Sequence, residues 1–188
     1  PAACILDVAG ETLRVTYAER AAGAEFGSVT VDVLSSDGAV RQTMQEPDVS
    51  QYMPVTVEDV DGEGRADLLI PRGAGNVNTE WGVWLFSGAR AAYERIGVVS
   101  GVTVGRTEDG YISVSARSSA VAWEVQYYRL DQSGLHLIAA VRIEGEEDVG
   151  GAIDASCQII DASGLAMVGL TPQAAQAKFC VEPGAMFE

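Results

Sequence analysis

Between two apolar runs the chain reads Asp59-Val60-Asp61-Gly62-Glu63-Gly64-Arg65-Ala66-Asp67, followed by Leu68-Leu69-Ile70. Acidic side chains occupy loop positions one, three, five and nine. That pattern suits a hard divalent cation. Calcium takes about six to eight oxygens at about 2.3–2.6 Å, so several carboxylates must converge on one point. Gly62 and Gly64 give the backbone the freedom to curl tightly and turn alternate side chains inward. Asp59, Asp61, Glu63 and Asp67 would contribute carboxylate oxygens, and Arg65, at position seven, its backbone carbonyl. A helix–loop–helix site requires a glutamate at position twelve and a helix on each side. Here Ile70 stands at that position and β-type runs flank the loop, which predicts a strand–loop–strand site. The ion would be structural, pinning a turn, since no histidine or general base accompanies it. The same residues in a plain surface turn would bond only their own backbone. Four acids within nine residues repel one another unless a cation is present, which favours calcium. Glu63 takes the place of a shorter Asp or Asn, so the site should hold its ion loosely.

The elements that must carry this loop read as strands. Three stretches share one form, an apolar β-type run, a polar turn and a second run. They are Val29–Leu34 with Ser35–Gly38 and Ala39–Met44, Trp81–Phe86 with Ser87–Arg90 and Ala91–Ile96, and Val125–Leu130 with Asp131–Gly134 and Leu135–Ile143. Each predicts a β-hairpin in which glycine supplies positive φ where the chain reverses. Their spacing, about 45 to 50 residues, is that of propeller blades or similar sheet arrays. Leu135, Leu137, Ala139, Val141 and Ile143 fall on one face at period two. Further strands are expected at Thr12–Tyr17, Met53–Val57, Asp67–Ile70, Tyr111–Ala116 and Val121–Trp123. One short helix is predicted near the end, with Thr171 as N-cap, Pro172 at its first position and Gln173 to Phe179 following. Glu144–Gly151 reads as a long acidic loop. The expected fold is all-β, with antiparallel hairpins in a β-propeller-like or sandwich-like arrangement and a short C-terminal helix. No internal boundary is apparent, so residues 1–188 are read as one β-rich domain.

The chain has 12 Lys+Arg against 27 Asp+Glu, a net charge of −15. That field repels phosphate backbones and argues against nucleic acid, while it would accelerate encounter with a basic protein. No apolar run approaches the length of about 18 residues that crosses a bilayer. The cysteines, Cys4, Cys157 and Cys180, lack the spacing of a zinc knuckle or redox pair. Cys157–Cys180 is the expected disulfide because both lie in the C-terminal segment 144–188, which leaves Cys4 free or as a lipid-attachment point. The start Pro1-Ala2-Ala3-Cys4 fits a chain processed on export, and an oxidising compartment suits the disulfide. An enzyme is not expected. His136 is the only histidine and sits mid-strand among apolar neighbours, and neither a Gly-x-Ser-x-Gly elbow nor a phosphate-cradling glycine loop is present.

In order along the chain come "VEDVDGEGRADLLI", the glycine- and asparagine-rich Gly73–Asn78, "WGVWLFSGARAAYERI" and "VQYYRLDQSGLHLI". The acidic loop resembles the calcium loops of integrin-type FG-GAP repeats. Residues 28–143 as a whole resemble periplasmic lysozyme-inhibitor-like proteins of Gram-negative bacteria with a β-propeller-like fold. The resemblance implies a calcium-binding, periplasmic or secreted protein that blocks a basic peptidoglycan hydrolase, as a lysozyme inhibitor or as an immunity protein against a cell-wall-degrading effector. Such inhibitors push a loop of small polar residues, often Ser and Tyr, into the hydrolase cleft. Two segments match that role here, the hairpin tip Ser87, Gly88 and Arg90 with Tyr93 beyond it, and the stretch 113–120 with Ser115, Arg117, Ser118 and Ser119. Tyr93 lies two positions further along than the inhibitor pattern places it. The alternative is an extracellular carbohydrate- or adhesion-type module using Trp81, Trp84 and Trp123.

Overall fold

A computed structural model describes residues 2–8, 10–18, 25–147 and 153–181. Its contacts divide the chain into two compact units, Pro1–Ser100 and Gly101–Glu188. The described residues are all-β with one short α-helix towards the C-terminal end.

The first unit holds two four-stranded sheets with strands in chain order, β1 (Ala2–Val8) to β4 (Val40–Val49) and β5 (Thr56–Glu58) to β8 (Ala92–Gly101). In the first sheet β2 (Glu11–Ala18) pairs antiparallel with β1 and with β3 (Gly27–Leu34), and β3 with β4. Val29, Val31 and Val33 alternate along β3 and are buried with Leu13, Val15 and Met44 of its neighbours. Leu68 and Ile70 of β6 (Asp67–Ala74), Phe86 of β7 (Thr79–Ser87) and Tyr93 of β8 complete the same core. Two sheets thus close on one another in sandwich fashion, and each fully buried aliphatic side chain contributes about 1.5–3 kcal/mol.

On the other face of the first sheet, register sets Arg14, Asp32 and Thr43 side by side on β2, β3 and β4. Arg14 donates to the Asp32 carboxylate at 2.7 Å and Thr43 at 2.7 Å, and these donors hold the Asp32 carboxyl below its ordinary pKa. A second charge is sealed between the sheets. The side chain of Glu46 is fully buried, with Arg95 donating through two nitrogens at 3.0 and 2.8 Å, Trp84 Nε1 donating at 3.0 Å, and Arg72 Nε at 3.1 Å. Gly82 faces this carboxylate, and a Cβ there would lie 2.3 Å from Glu46 Oε2. A buried anion is tolerated only when paired and hydrogen-bonded in this way.

The second unit is one five-stranded sheet in the order β13-β12-β11-β10-β9. Its strands are β9 (Thr103–Arg106), β10 (Ile112–Ser119), β11 (Ala122–Asp131), β12 (Gly134–Glu147) and β13 (Ile153–Asp161). A 3₁₀ turn at Leu165–Val168 and helix α1 (Pro172–Phe179) pack on it, burying Leu165, Ala175 and Phe179. The Thr171 side chain accepts from Ala174 N, and Pro172 opens the helix. Phe179 stacks on Tyr127 at 4.3 Å, and Gln176 bonds the backbone of both Cys157 and Ile159. The Cys157–Cys180 disulfide ties the helix end to β13.

The three expected hairpins form as β3–β4, β7–β8 and β11–β12. Elsewhere the structure corrects the sequence reading. Of Met53–Val57 only Thr56 and Val57 are in a strand, and of Val121–Trp123 only Ala122 and Trp123, which open β11. Glu144–Glu147 is not loop but the end of β12, paired to β13 from Glu144↔Ser156 to Glu147↔Ile153; the rest of Glu144–Gly151 lies outside the described residues. The single-face alternation on β12 fails at a bulge, where Tyr127 pairs Ala139 but Tyr128 pairs Leu137. The extra residue, Ile138, is buried with Ala139, Ala140 and Val141 in one run.

Two outcomes follow. Glu46→Ala leaves Arg72 and Arg95 without their shared anion and is expected to cost about 3–5 kcal/mol in urea unfolding; a loss below about 1 kcal/mol would contradict the paired-charge account. Replacing Cys157 and Cys180 with serine opens a cross-link of sequence separation 23 and is expected to cost about 3 kcal/mol in the same measurement.

Candidate functional site

The loop joining β5 to β6 gathers three of the four predicted carboxylates. One ligand oxygen from each of Asp59, Asp61 and Asp67 lies within 4.8 Å of the others. The route is the expected one: Gly62 and Gly64 adopt φ of 72° and 76°, left-handed conformations that side chains resist. Asp59 Oδ2 accepts from Gly64 N at 3.0 Å, and Asp61 Oδ1 accepts from Glu63 N at 3.0 Å, so the curl is fastened from inside.

Asp67 differs from the others because it is 1% exposed. Its Oδ2 accepts from Val60 N at 2.8 Å and from Asp61 N at 3.4 Å, while Oδ1 accepts from Phe86 N on β7 at 2.8 Å. Burial pushes its carboxyl up to about 6, with the Asp61 charge adding to the rise and the backbone donors opposing it. These three bonds leave about one of the four lone-pair sites of the carboxylate open, on Oδ1. Chemically the three carboxylates supply hard oxygen donors of the kind that could hold a divalent cation.

Of the predicted side-chain ligands, Glu63 stands apart. Glu63 is exposed and outside the converging group, with only its backbone N–H bonded inward. The Arg65 guanidinium lies 4.1 Å from the Phe86 ring centroid, a cation–π contact that anchors the far side of the loop.

The two polar segments are tighter than the sequence implies. Gly88 and Arg90 sit in the exposed turn between β7 and β8, with Arg90 N donating to Ser87 O and its guanidinium paired to Glu94 at 2.9 Å. Tyr93 is not part of that tip. It is 5% exposed, packs edge-on against Phe86 at 5.2 Å, and has its backbone N and O paired by Gln42. Burial raises its hydroxyl to about 12. The stretch 113–120 is mostly strand β10 and not a loop, with Ser119 already paired to Ala122. Ser115 lies within the strand, opposite Val125. Arg117 bonds the carbonyls of Ser119 and Ala120 and lies over Trp123, Ser118 bonds Ala122 O, and Ser119 accepts from Val121 N. These are the bonds of a rigid hairpin end.

The sequence reading missed one cluster. At the β11–β12 turn, His136 Nε2 lies 2.7 Å from Ser133 Oγ and 2.9 Å from Asp131 Oδ1. Asp131 also accepts from Ser133 N and Oγ, and these bonds hold its carboxyl down to about 2. Serine and aspartate share one ring nitrogen here, whereas a proton relay places them on opposite nitrogens. The signal was available, because a two-residue turn brings positions 131 and 136 diagonally together across the hairpin.

No family model matches the chain, and no curated protein matches it in sequence. Among solved structures it is similar to a type IV secretion system related protein from Xanthomonas, at 13% identity and a TM-score of 0.52, over 86% of this chain and 90% of that one. At that identity the likeness is one of fold.

The role of Asp67 separates from that of Asp61. Asp67→Ala strips three backbone N–H groups of their acceptor and is expected to destabilise the calcium-free protein by about 2–4 kcal/mol. The folded chain keeps the Asp67 proton to about 6, while an unfolded aspartate loses it near about 3.9. Between those values the folded state binds more protons, so this group makes stability fall as pH rises from about 4 to about 6 and level off above. Urea unfolding of wild type and Asp67→Ala without calcium should differ by that slope.

Proposed function

We propose that this chain is a calcium-stabilised binding protein of the periplasm or extracellular space that inhibits a basic peptidoglycan hydrolase. Either a lysozyme inhibitor or an immunity protein against a cell-wall-degrading effector fits this role. The convergence of Asp59, Asp61 and Asp67 within 4.8 Å carries the calcium half of the reading. Bound there, calcium would link the loop to β7 through Asp67 and leave the sheets as a rigid frame. Water and the Arg65 carbonyl would fill out the shell.

The partner half rests on charge and architecture. A net charge of −15 steers a basic enzyme toward the chain and raises the association rate, most strongly at low salt. The Cys157–Cys180 disulfide fits an oxidising compartment, and no helix among the described residues is long and apolar enough to cross a membrane. The fold-level likeness to a secretion-system related protein fits a place in the cell envelope. The turn at Gly88 and Arg90 and the hairpin end at Arg117–Ser119 are the pre-ordered polar projections offered to a cleft, and rigidity lowers the entropy lost on docking.

Calorimetric titration of calcium into the chelated protein is expected to show one site. Its affinity should weaken as pH falls through about 6, since calcium must then displace the Asp67 proton. Asp61→Ala should lower the melting temperature in calcium while leaving the chelated melt within about 1 °C; an equal melt in both conditions removes the ion from the account. Mixed with a basic muramidase at micromolar concentration, the protein should suppress cell-wall lysis, less so at high salt. Full lysis with no complex by gel filtration across a panel of such enzymes would overturn the partner assignment.

A further inference from the structure

The first unit has a hollow of about 330 Å³ whose lining includes Phe26, Asp48, Ser50, Arg72, Asn78 and Glu80. That volume lies at the small end of ligand sites, where a few convergent polar groups fix orientation. None of these residues belongs to the acidic loop.

We propose that this hollow binds a neutral saccharide, one ring in size. Arg72 is its fixed point, with a side chain only 17% exposed. Its Nε faces the fully buried Glu46 at 3.1 Å, its Nη1 donates to Glu80 at 2.7 Å, and its Nη2 lies 3.5 Å from Asp48. The buried anion therefore holds the guanidinium in place, and the guanidinium aligns two carboxylates whose side chains remain 67% and 46% exposed. Asp48 is held at φ 58°, a left-handed backbone that non-glycine residues adopt at a cost, which fits a position kept for what it presents.

The pattern of groups selects the ligand. Two carboxylates offer acceptors to hydroxyl donors, while Asn78 carries both an acceptor and donors. Vicinal hydroxyls satisfy such an arrangement because each both donates and accepts. Phe26, 46% exposed, supplies an aromatic ring for the C–H face of a sugar. Anions are disfavoured by Asp48 and Glu80. An organic cation gains little, because Arg72 stands between them and leaves the three groups with a net charge of only −1.

The test is an amide NMR titration of the whole chain with neutral monosaccharides, N-acetylglucosamine among them. Saturable shifts are expected at Ser50, Gly73, Gly75 and Asn78, with a dissociation constant on the order of 1–10 mM for a ligand of this size. Asn78→Ala and Phe26→Ala should each weaken binding about fivefold or more, the loss of roughly one hydrogen bond or ring contact, while each variant keeps the dispersed amide spectrum of the folded chain. Arg72 is left intact because its removal would expose Glu46. The assignment is overturned if no sugar gives saturable shifts up to about 100 mM, if the shifts map elsewhere, or if N-acetyl-lysine methylamide saturates the site and the sugars do not. Calcium and hydrolase binding are read separately, so failure here leaves the proposed function standing.

Discussion

The Asp67 carboxylate, 1% exposed, accepts backbone N–H groups from Val60 and Asp61 on the loop and from Phe86 on β7. Those three bonds fix where the loop begins and ends relative to the sheet. Asp59 and Asp61 can then be brought beside it by a curl that Gly62 and Gly64 permit. Burial alone would drive this carboxyl toward its neutral form, as its rise to about 6 indicates. Above about 6 the site carries closely spaced negative charge, which the proposed calcium ion would relieve. Loop conformation, proton affinity and the case for the proposed ion all descend from one desolvated side chain.

Glu46 plays a parallel part between the two sheets of the first unit. Its full burial would be prohibitive without Arg72, Arg95 and Trp84, and together they leave little freedom to any member. The consequence extends outward, because Arg72 passes its order to Asp48 and Glu80 at the surface. A charge network that joins two sheets thereby also fixes the walls of a hollow. The aromatic residues serve the interior more than the surface: Trp84 and Trp123 pack against the two cores, and Tyr93 belongs wholly to the first.

Much of the fold could be read from local chemistry. Gly38 and Gly134 mark hairpin turns by positive φ, Thr171 and Pro172 mark the helix start, and the cysteine pairing followed from proximity in the C-terminal segment. Strands β1 and β9 escaped notice, and β13 was legible only as a strand around Cys157, without bounds. β13, Ile-Asp-Ala-Ser-Cys-Gln-Ile-Ile-Asp, is poor in aromatic and rich in polar residues, and its strand state comes from pairing with β12. The bulge at Ile138 could not be read from alternation, since it is imposed by the partner strand's register. At the site, three of four acids converge as their spacing indicated, while the burial of Asp67 and its bond to Phe86 are long-range features. The tyrosine at position 93 is drawn inward by the same kind of constraint: it packs on Phe86 across its own hairpin and its backbone is paired by Gln42, far away in sequence.

The most direct measurement is a crystal structure grown in millimolar calcium. The account predicts a density peak at the β5–β6 loop coordinated by Asp59, Asp61 and Asp67 at about 2.3–2.6 Å, with Asp67 still accepting from Phe86 N. A loop in the same conformation with no ion, its aspartates bonded to backbone and water alone, would contradict it.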